Sequence, residues 1–577
     1  MKSTALTFIH VPLSIYFMNK IRFSLAVLIT VIALNQRIIA QSVNWYQQDR
    51  TAETPYNLGT DAVYNKLLKD VKGTPVVVAV IDSGIDIEHE DLADVIWVNT
   101  DEIPGNGIDD DNNGYIDDIN GWNFIGGKDG SQVAADTYEM TRTYAKYRKK
   151  FENVDPAKLS GKEKEQYNDY VKFGKRIESE TKSAKEQYAQ FEERQQFFAG
   201  VIDHIENITK TQEVDKALID SLSTSFDPTD AVAANIYNYY LAETDEIPSL
   251  EQLKFELMDP LQGALDHFGS KFKYNWNPDF DPRGIVGDNF EDKTERYYGN
   301  NLVEGPDAMH GTHVAGIIAG SRDNEIGLNG IANNVRIMTV RAVPDGDERD
   351  KDVANAIRYA VENGASIINM SFGKGESPYK EVVDDAIRYA EKNDVLIVHA
   401  SGNASMNIDE GENYPNDYYK KPKGFLFFKK KQPKNYLSIG ASGPSKDDDM
   451  VASFSNYGKK DVDVFAPGVM MLSSVPDDNY EISQGTSMAA PVISGVAAVL
   501  RSYFPSLNAE QVKEAIMTST VPNDTMVLKP GTEDEYVPFS SLSVSGGIID
   551  LAAAYSVASR MKGKKKISKR KSSNIRA

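Results

Sequence analysis

Apolar residues fall along this chain in two rhythms. Residues 76–81 read Val-Val-Val-Ala-Val-Ile, an unbroken and mostly β-branched run. That is the pattern of a strand buried on both faces. Similar runs return at 335–340, 366–370, 395–400 and 437–441. Between them, 353–363 and 379–393 carry apolar residues at helical spacing. Strands alternating with helices predict an α/β fold with a mainly parallel sheet. In such sheets ligands bind beyond the carboxyl ends of the strands.

Residues 131–297 break this rhythm. The segment is rich in Lys, Glu, Gln and Tyr, and its apolar positions follow helical spacing, as in Tyr167, Tyr170, Val171, Gly174 and Ile177. Phe198, Val201, Ile202, Ile205 and Ile208 repeat the pattern. Ser160 with Glu163, and Ser249 with Gln252, have the spacing of capping boxes. The segment reads as a helical insertion that divides one domain into 71–130 and 298–560, with a short mixed piece at 41–70 before it. A second irregularity is a Lys- and Phe-rich stretch at 418–434, placed to reach the rim of a cleft.

The two ends differ from the body. Lys20 and Arg22 precede an apolar run at 23–34, and Ile38-Ile39-Ala40 offers a small residue for cleavage. Residues 1–40 therefore read as an export signal, with Met18 an alternative start. The run is short for a membrane span, so the expectation is an exported protein, periplasmic or extracellular, with no stable span after cleavage. Residues 561–577 are basic and unpatterned, as in a solvated tail. The whole chain carries a formal charge of −22, which argues against nucleic acid as a partner. It has no cysteine, so disulfides, thiolate nucleophiles and cysteine-ligated zinc are excluded.

Three motifs carry chemistry. Val80-Ile81-Asp82-Ser83-Gly84 sets an acid at a strand end. His310-Gly311-Thr312-His313-Val314-Ala315-Gly316 opens a helix of small residues. Gly485-Thr486-Ser487-Met488-Ala489-Ala490-Pro491 opens another, running to about residue 500. A serine hydroxyl needs a base to become a nucleophile. An imidazole supplies one near neutral pH, and a carboxylate fixes its tautomer. A serine at a helix start also has free backbone N–H groups beside it, suited to an oxyanion. Competing readings are weaker. His310 and His313 lack the glutamate of an HExxH zinc site. Asp82-Ser83-Gly84 has no second copy to make an aspartic dyad.

In sequence and in chain order the three motifs resemble those of the subtilase family of serine peptidases. The resemblance covers 71–130 and 298–560. It implies the subtilisin-like three-layer α/β fold with a mainly parallel sheet, plus the α-helical insertion. It also implies a serine endopeptidase acting on extended protein or peptide substrates through an acyl-enzyme, with Asp82, His310 and Ser487 as triad. Ala400-Ser401-Gly402-Asn403 resembles the segment whose asparagine donates to the oxyanion, which assigns Asn403. Asn369-Met370-Ser371-Phe372-Gly373 resembles the strand that pairs with substrate, which assigns Ser371, Phe372 and Gly373. Ala400, Ser401 and Gly402 would form the facing wall. Two departures stand out. The acid and the base lie 228 residues apart, and only about 30 residues separate the signal from the first strand, too few for the family's usual pro-domain. The alternative reading is a catalytically silent peptide-binding protein that keeps the fold.

Residues 109–117 read Asp-Asp-Asp-Asn-Asn-Gly-Tyr-Ile-Asp. Asp109, Asp111, Asn113, the Tyr115 carbonyl and Asp117 have the spacing of an EF-hand-like oxygen cage, with Gly114 at the turn. The twelfth position is Asn120, not the usual glutamate, and Asp118 is available in its place. The expectation is structural Ca²⁺.

Overall fold

A computed structural model of the chain describes residues 44–51, 54–210, 213–244, 246–322, 324–423 and 430–564. The export signal read at 1–40 lies outside these residues, as does the tail from 565 onward.

Seven strands form one parallel sheet: β1 (Val76–Asp82), β2 (Gly121–Asn123), β3 (Val335–Arg341), β4 (Ile367–Met370), β5 (Leu396–Ala400), β6 (Tyr436–Ser442) and β7 (Val464–Pro467). Their order is β2-β3-β1-β4-β5-β6-β7. An antiparallel hairpin, β8 (Met471–Val475) with β9 (Asn479–Ser483), lies outside the sheet. Each run read as a strand is found within a residue or two of its expected bounds. The short strands β2 and β7 fell below the length at which an apolar run stands out.

The segment between β2 and β3 supplies helices α1 (Glu139–Phe151), α2 (Gly161–Thr209), α3 (Lys216–Ser223), α4 (Pro228–Thr244) and α5 (Leu250–Ser270). Around the sheet pack α6 (Met309–Ala319), α7 (Asp350–Glu362), α8 (Lys380–Lys392) and α9 (Thr486–Tyr503).

Strand β1 shows why its sequence is unbroken. Successive side chains of a strand point to opposite faces. Val76, Val78 and Val80 enter one core with Val314, Ile317 and Ile318 of α6 and Val492, Ile493 and Val496 of α9. Val77, Ala79 and Ile81 enter a second core with Val353, Ile357 and Val361 of α7 and Val383, Ala386 and Ile387 of α8. Both faces are covered, so no position is left for a polar residue.

The inserted helices have their own core. Helix α2 has 49 residues and is about 74 Å long at the α-helical rise. Near its start, Tyr167 and Tyr170 pack on Phe151 and Tyr144 of α1. At its far end, Phe198, Val201, Ile202 and Ile205 pack with Ile219, Tyr237, Leu253 and Leu257 of α3, α4 and α5. Half of one capping box forms: Ser249 accepts the Gln252 N–H at 3.1 Å, while the Gln252 side chain donates to Glu256 at 3.0 Å instead of reaching back. Ser160 makes no cap bond. The first helical residue there, Gly161, has φ 52°, which turns the chain out of register with the hydroxyl, and Glu163 pairs with Lys150 at 3.1 Å instead.

The segment before β1 docks on the domain. Trp45 and Tyr46 are buried, Trp45 Nε1 donates to the Val469 carbonyl at 3.1 Å, and Arg50 pairs with Asp550 at 3.0 Å. No described helix is long and apolar enough to cross a membrane.

Candidate active site

Parallel strands end on one edge of the sheet, and β1, β4 and β5 are neighbours. Asp82, the segment after Met370 and the segment after His399 therefore meet there, with Ile81 in register with Met370, and Met370 with His399.

Asp82 closes β1, with its carboxylate buried. Oδ1 accepts the Ser83 N–H at 2.8 Å and lies 2.7 Å from His310 Nδ1. A carboxylate only accepts, so Nδ1 carries the proton and Nε2 is left as a base. Gly311 lets α6 approach this closely: a Cβ there would strike the Gly84 carbonyl and sit 3.2 Å from the Asp82 Cβ. Burial lowers the His310 pKa. The Asp82 charge and hydrogen bond, with Asp307 adding, outweigh it and leave the imidazole above its ordinary value. The His310 side chain remains 37% exposed, open to the cleft. His313 turns the other way. Its Nε2 lies 3.1 Å from the Met471 carbonyl and 3.2 Å from that of Glu481, and burial pushes it down to about 4. One imidazole meets the acid and the other holds the hairpin, which is not the geometry of a shared metal.

Ser487 is the second residue of α9. Pro491, inside that helix, has no N–H for the carbonyl four residues back, which is that of Ser487. The Ser371 hydroxyl fills the gap, donating to the Ser487 carbonyl at 2.8 Å. Asn369 Nδ2 holds that hydroxyl at 2.9 Å, and Ser494 Oγ holds Asn369 at 2.8 Å. In return the Ser487 hydroxyl donates to the Ser371 carbonyl at 2.9 Å. The start of α9 is thus bolted to the end of β4.

Asn403 is oriented from one side. Its Oδ1 accepts from the Thr486 N–H at 2.9 Å and the Thr486 hydroxyl at 2.8 Å. Its Nδ2 is left to donate elsewhere. The direction is visible at Gly485, whose φ of 155° suits only glycine. A Cβ built there would lie 3.2 Å from Asn403 Nδ2 and 3.5 Å from the Ser487 N. Both nitrogens therefore lie close to Gly485.

The two segments expected to wall a substrate slot, Ser371-Phe372-Gly373 and Ala400-Ser401-Gly402, are bridged at what would be its floor by Asn413, which sequence reading missed. Asn413 Nδ2 donates to the Ser401 carbonyl at 3.0 Å. Its Oδ1 would lie 2.9 Å from a Cβ on Gly373 and 3.4 Å from one on Gly402. His399 supports the wall from behind, with Nε2 2.7 Å from the Phe372 carbonyl. The described part of the Lys- and Phe-rich stretch packs on α8: Lys420 pairs with Glu381 at 3.3 Å and Lys423 with Asp385 at 2.7 Å.

The acidic loop differs in detail from its expected ligand set. Glu102, Asp109 and Asp111 each place a carboxylate oxygen within 4.8 Å of the others; Glu102 was not foreseen. Asn113 Oδ1 accepts the Tyr115 N–H at 2.8 Å, and the Tyr115 ring is buried against Trp122, Phe124 and Tyr359. Asp117 lies outside this group of three. Its oxygens accept the N–H groups of Asn106 at 3.2 Å and Gly107 at 2.9 Å. Asp118 is occupied too, by Tyr359 at 2.6 Å and Asn99 at 2.8 Å.

The chain is 35% identical over 242 residues to the thermophilic serine proteinase of Bacillus sp. (strain AK1), covering 42% of this chain and 52% of that protein. It is 34% identical over 218 residues to subtilisin DY of Bacillus licheniformis, covering 37% and 70%. The chain thus spans about half the length of the first relative. Among solved structures, the prenylagaramide maturation protease PagA aligns at 28% identity and a TM-score of 0.33, over 43% of this chain and 82% of that one. The Subtilase family matches residues 73–540, and the chain belongs to that family.

Proposed function

We propose that the chain is a serine endopeptidase that cleaves extended peptides through an acyl-enzyme. The observation that carries this reading is the 2.7 Å contact of Asp82 with His310 Nδ1, which leaves Nε2 free to act as a base. Substrate lies along Ser371, Phe372 and Gly373, with Ala400, Ser401 and Gly402 opposite. His310 Nε2 takes the Ser487 proton as Oγ attacks the scissile carbonyl. Asp82 holds the imidazole and stabilises its charged form. Asn403 Nδ2 and the Ser487 N–H receive the oxyanion. His310 then protonates the leaving amine, and water, activated by the same imidazole, releases the acyl group.

The acidic loop would hold Ca²⁺ through Glu102, Asp109 and Asp111. Three carboxylates facing one another are a hard-oxygen set suited to that ion, and its role would be structural. The basic and apolar N-terminus supports export, and one relative is named a cell wall-associated protease.

The test is labelling by a fluorophosphonate probe, alongside cleavage of an unfolded protein, for the wild type and Ser487→Ala. Both activities in the wild type only are expected. A folded, Ca²⁺-supplied wild type that is neither labelled nor active would turn the reading to a silent peptide-binding protein.

A further inference from the structure

We propose that the helical insertion positions the substrate-binding strand, through an ion pair between Glu139 and Lys374. This inference rests on the peptidase reading above. Lys374 follows Gly373 directly. Its side chain turns inward and is 2% exposed. Its ammonium lies 2.9 Å from Glu139 Oε2, 2.9 Å from Asp350 Oδ1 and 2.7 Å from the Glu348 carbonyl. Asp350 and Glu348 belong to the divided domain. Glu139 is the first residue of α1 and belongs to the insertion.

The backbone of Lys374 extends the link. Its N–H donates to the Tyr414 carbonyl and its carbonyl accepts the Tyr414 N–H, both at 2.9 Å. Tyr414 is next to Asn413, the floor of the slot. One buried lysine therefore ties the end of a wall to the edge of the floor, and a carboxylate of the insertion is one of its three partners.

Glu139 is itself held firmly. Its N–H donates to Asp347 Oδ2 at 2.7 Å, and Arg142 Nη2 donates to its Oε2 at 2.8 Å. Arg142 also donates to the Asp347 carbonyl at 3.0 Å. Asp136, just before α1, takes Arg349 in two bonds of 2.7 and 3.0 Å. The root of the insertion is thus woven into residues 347–350 by buried charges. Burial favours a neutral Glu139, but Arg142 and Lys374 overcome it and hold the carboxyl well below its usual range. A passive decoration needs no such root beneath a substrate-binding strand.

The test compares Glu139→Gln, Lys374→Met and their double variant in the otherwise complete mature chain. Each is assayed on an extended peptide anilide and on a single-residue ester, with fluorophosphonate titration counting competent sites. Misplacing a substrate strand is expected to raise KM for the peptide about tenfold while leaving kcat and the ester reaction within about twofold. The double variant should lose less than the two single losses added together, because the two residues are in contact. Glu139→Asp keeps the charge and should recover part of the loss. If one charge left alone prevents folding, the double variant, which removes both, carries the KM comparison. An unchanged ratio of peptide to ester KM in titrated variants overturns the inference alone. A wild type that takes no label overturns the peptidase reading and this inference with it.

Discussion

Gly485→Ala tests the oxyanion geometry directly. The added methyl would lie 3.2 Å from Asn403 Nδ2 and 3.5 Å from the Ser487 N. A transition-state oxyanion must sit about 2.7–3.1 Å from the same two donors, so the methyl and the oxyanion compete for one volume. Loss of a single donor costs about 100–1,000-fold in kcat. Obstructing both should therefore lower kcat by about 1,000-fold or more, with KM for a peptide anilide changed far less, since the walls at Ser371–Gly373 and Ala400–Gly402 are untouched. The φ of 155° adds a separate cost in stability, about 1–3 kcal/mol for a non-glycine residue, which a melting curve reads independently. Asn403→Asp is the companion variant. It keeps an acceptor for Thr486 but replaces the donor with a negative charge, and should lose at least as much activity as removal of the donor. A folded Gly485→Ala protein within tenfold of the wild-type kcat would refute the placement of the oxyanion between these donors.

Four further outcomes follow from the same geometry. The acid limb of kcat/KM should lie above imidazole's ordinary 6.5, because the base must be neutral and Asp82 favours its charged form; Asp82→Asn should move the limb down and lower kcat by about 10⁴, and a limb that stays put would count against the pair. Glu348 is buried with Oε1 unpartnered and is pushed up to about 8 by burial, against the pull of Lys374. From its ordinary 4.5 to about 8 the folded chain holds a proton that the unfolded chain releases, so stability falls as pH rises through that window; Glu348→Gln should gain in Tm over wild type as pH climbs, and a pH-independent difference would contradict it. Chelation should lower Tm by a few degrees, as for a ligand near 100 times its Kd, with recovery on adding Ca²⁺ and a smaller effect in Glu102→Gln; a Tm indifferent to chelator would remove the ion from the loop. Asn413→Gly should shift cleavage toward larger side chains before the scissile bond in a peptide library, and an unchanged profile would show that Asn413 does not bound the slot.

The sheet was legible because its chemistry is redundant. Six consecutive apolar residues before Asp82 have one economical explanation, burial on two faces, and the cores on either side of β1 show it. Asp82, His310 and Ser487 drew attention for a related reason: each stands at a strand end or helix start, within a motif whose glycines mark close packing. Residues that act by turning another side chain were hidden. Thr486 orients Asn403 through two bonds to one oxygen, yet in sequence it is a neighbour of the serine with no chemistry of its own. Asn413 reaches the slot from a loop ten residues beyond Asn403, a path that no local pattern specifies. In the acidic loop, alternate spacing selected Asp109 and Asp111, but Glu102, which gathers with them, enters from seven residues upstream of Asp109.

The insertion shows the same limit at larger scale. Its charged composition suggests a solvated surface, and along most of α2 that is correct, as with the exposed pairs Arg176–Glu180 and Lys182–Glu186. Such pairs contribute little to stability. The charges at the root look no different in sequence. Glu139, Arg142 and Lys374 sit among other polar residues, and the pairing of Glu139 with Lys374 spans 235 residues. Only burial separates the two groups, and burial changes their energetics: an unpartnered charge at the root would be strongly destabilising, whereas one on α2 would simply face water. A buried ionic root is a costly way to attach a decoration that could have been anchored by apolar packing, as the far end of α2 is. Its position under Gly373 and beside Tyr414 supplies a reason for that chemistry, because directional ion pairs fix the place of a strand end more narrowly than an apolar contact that can slide.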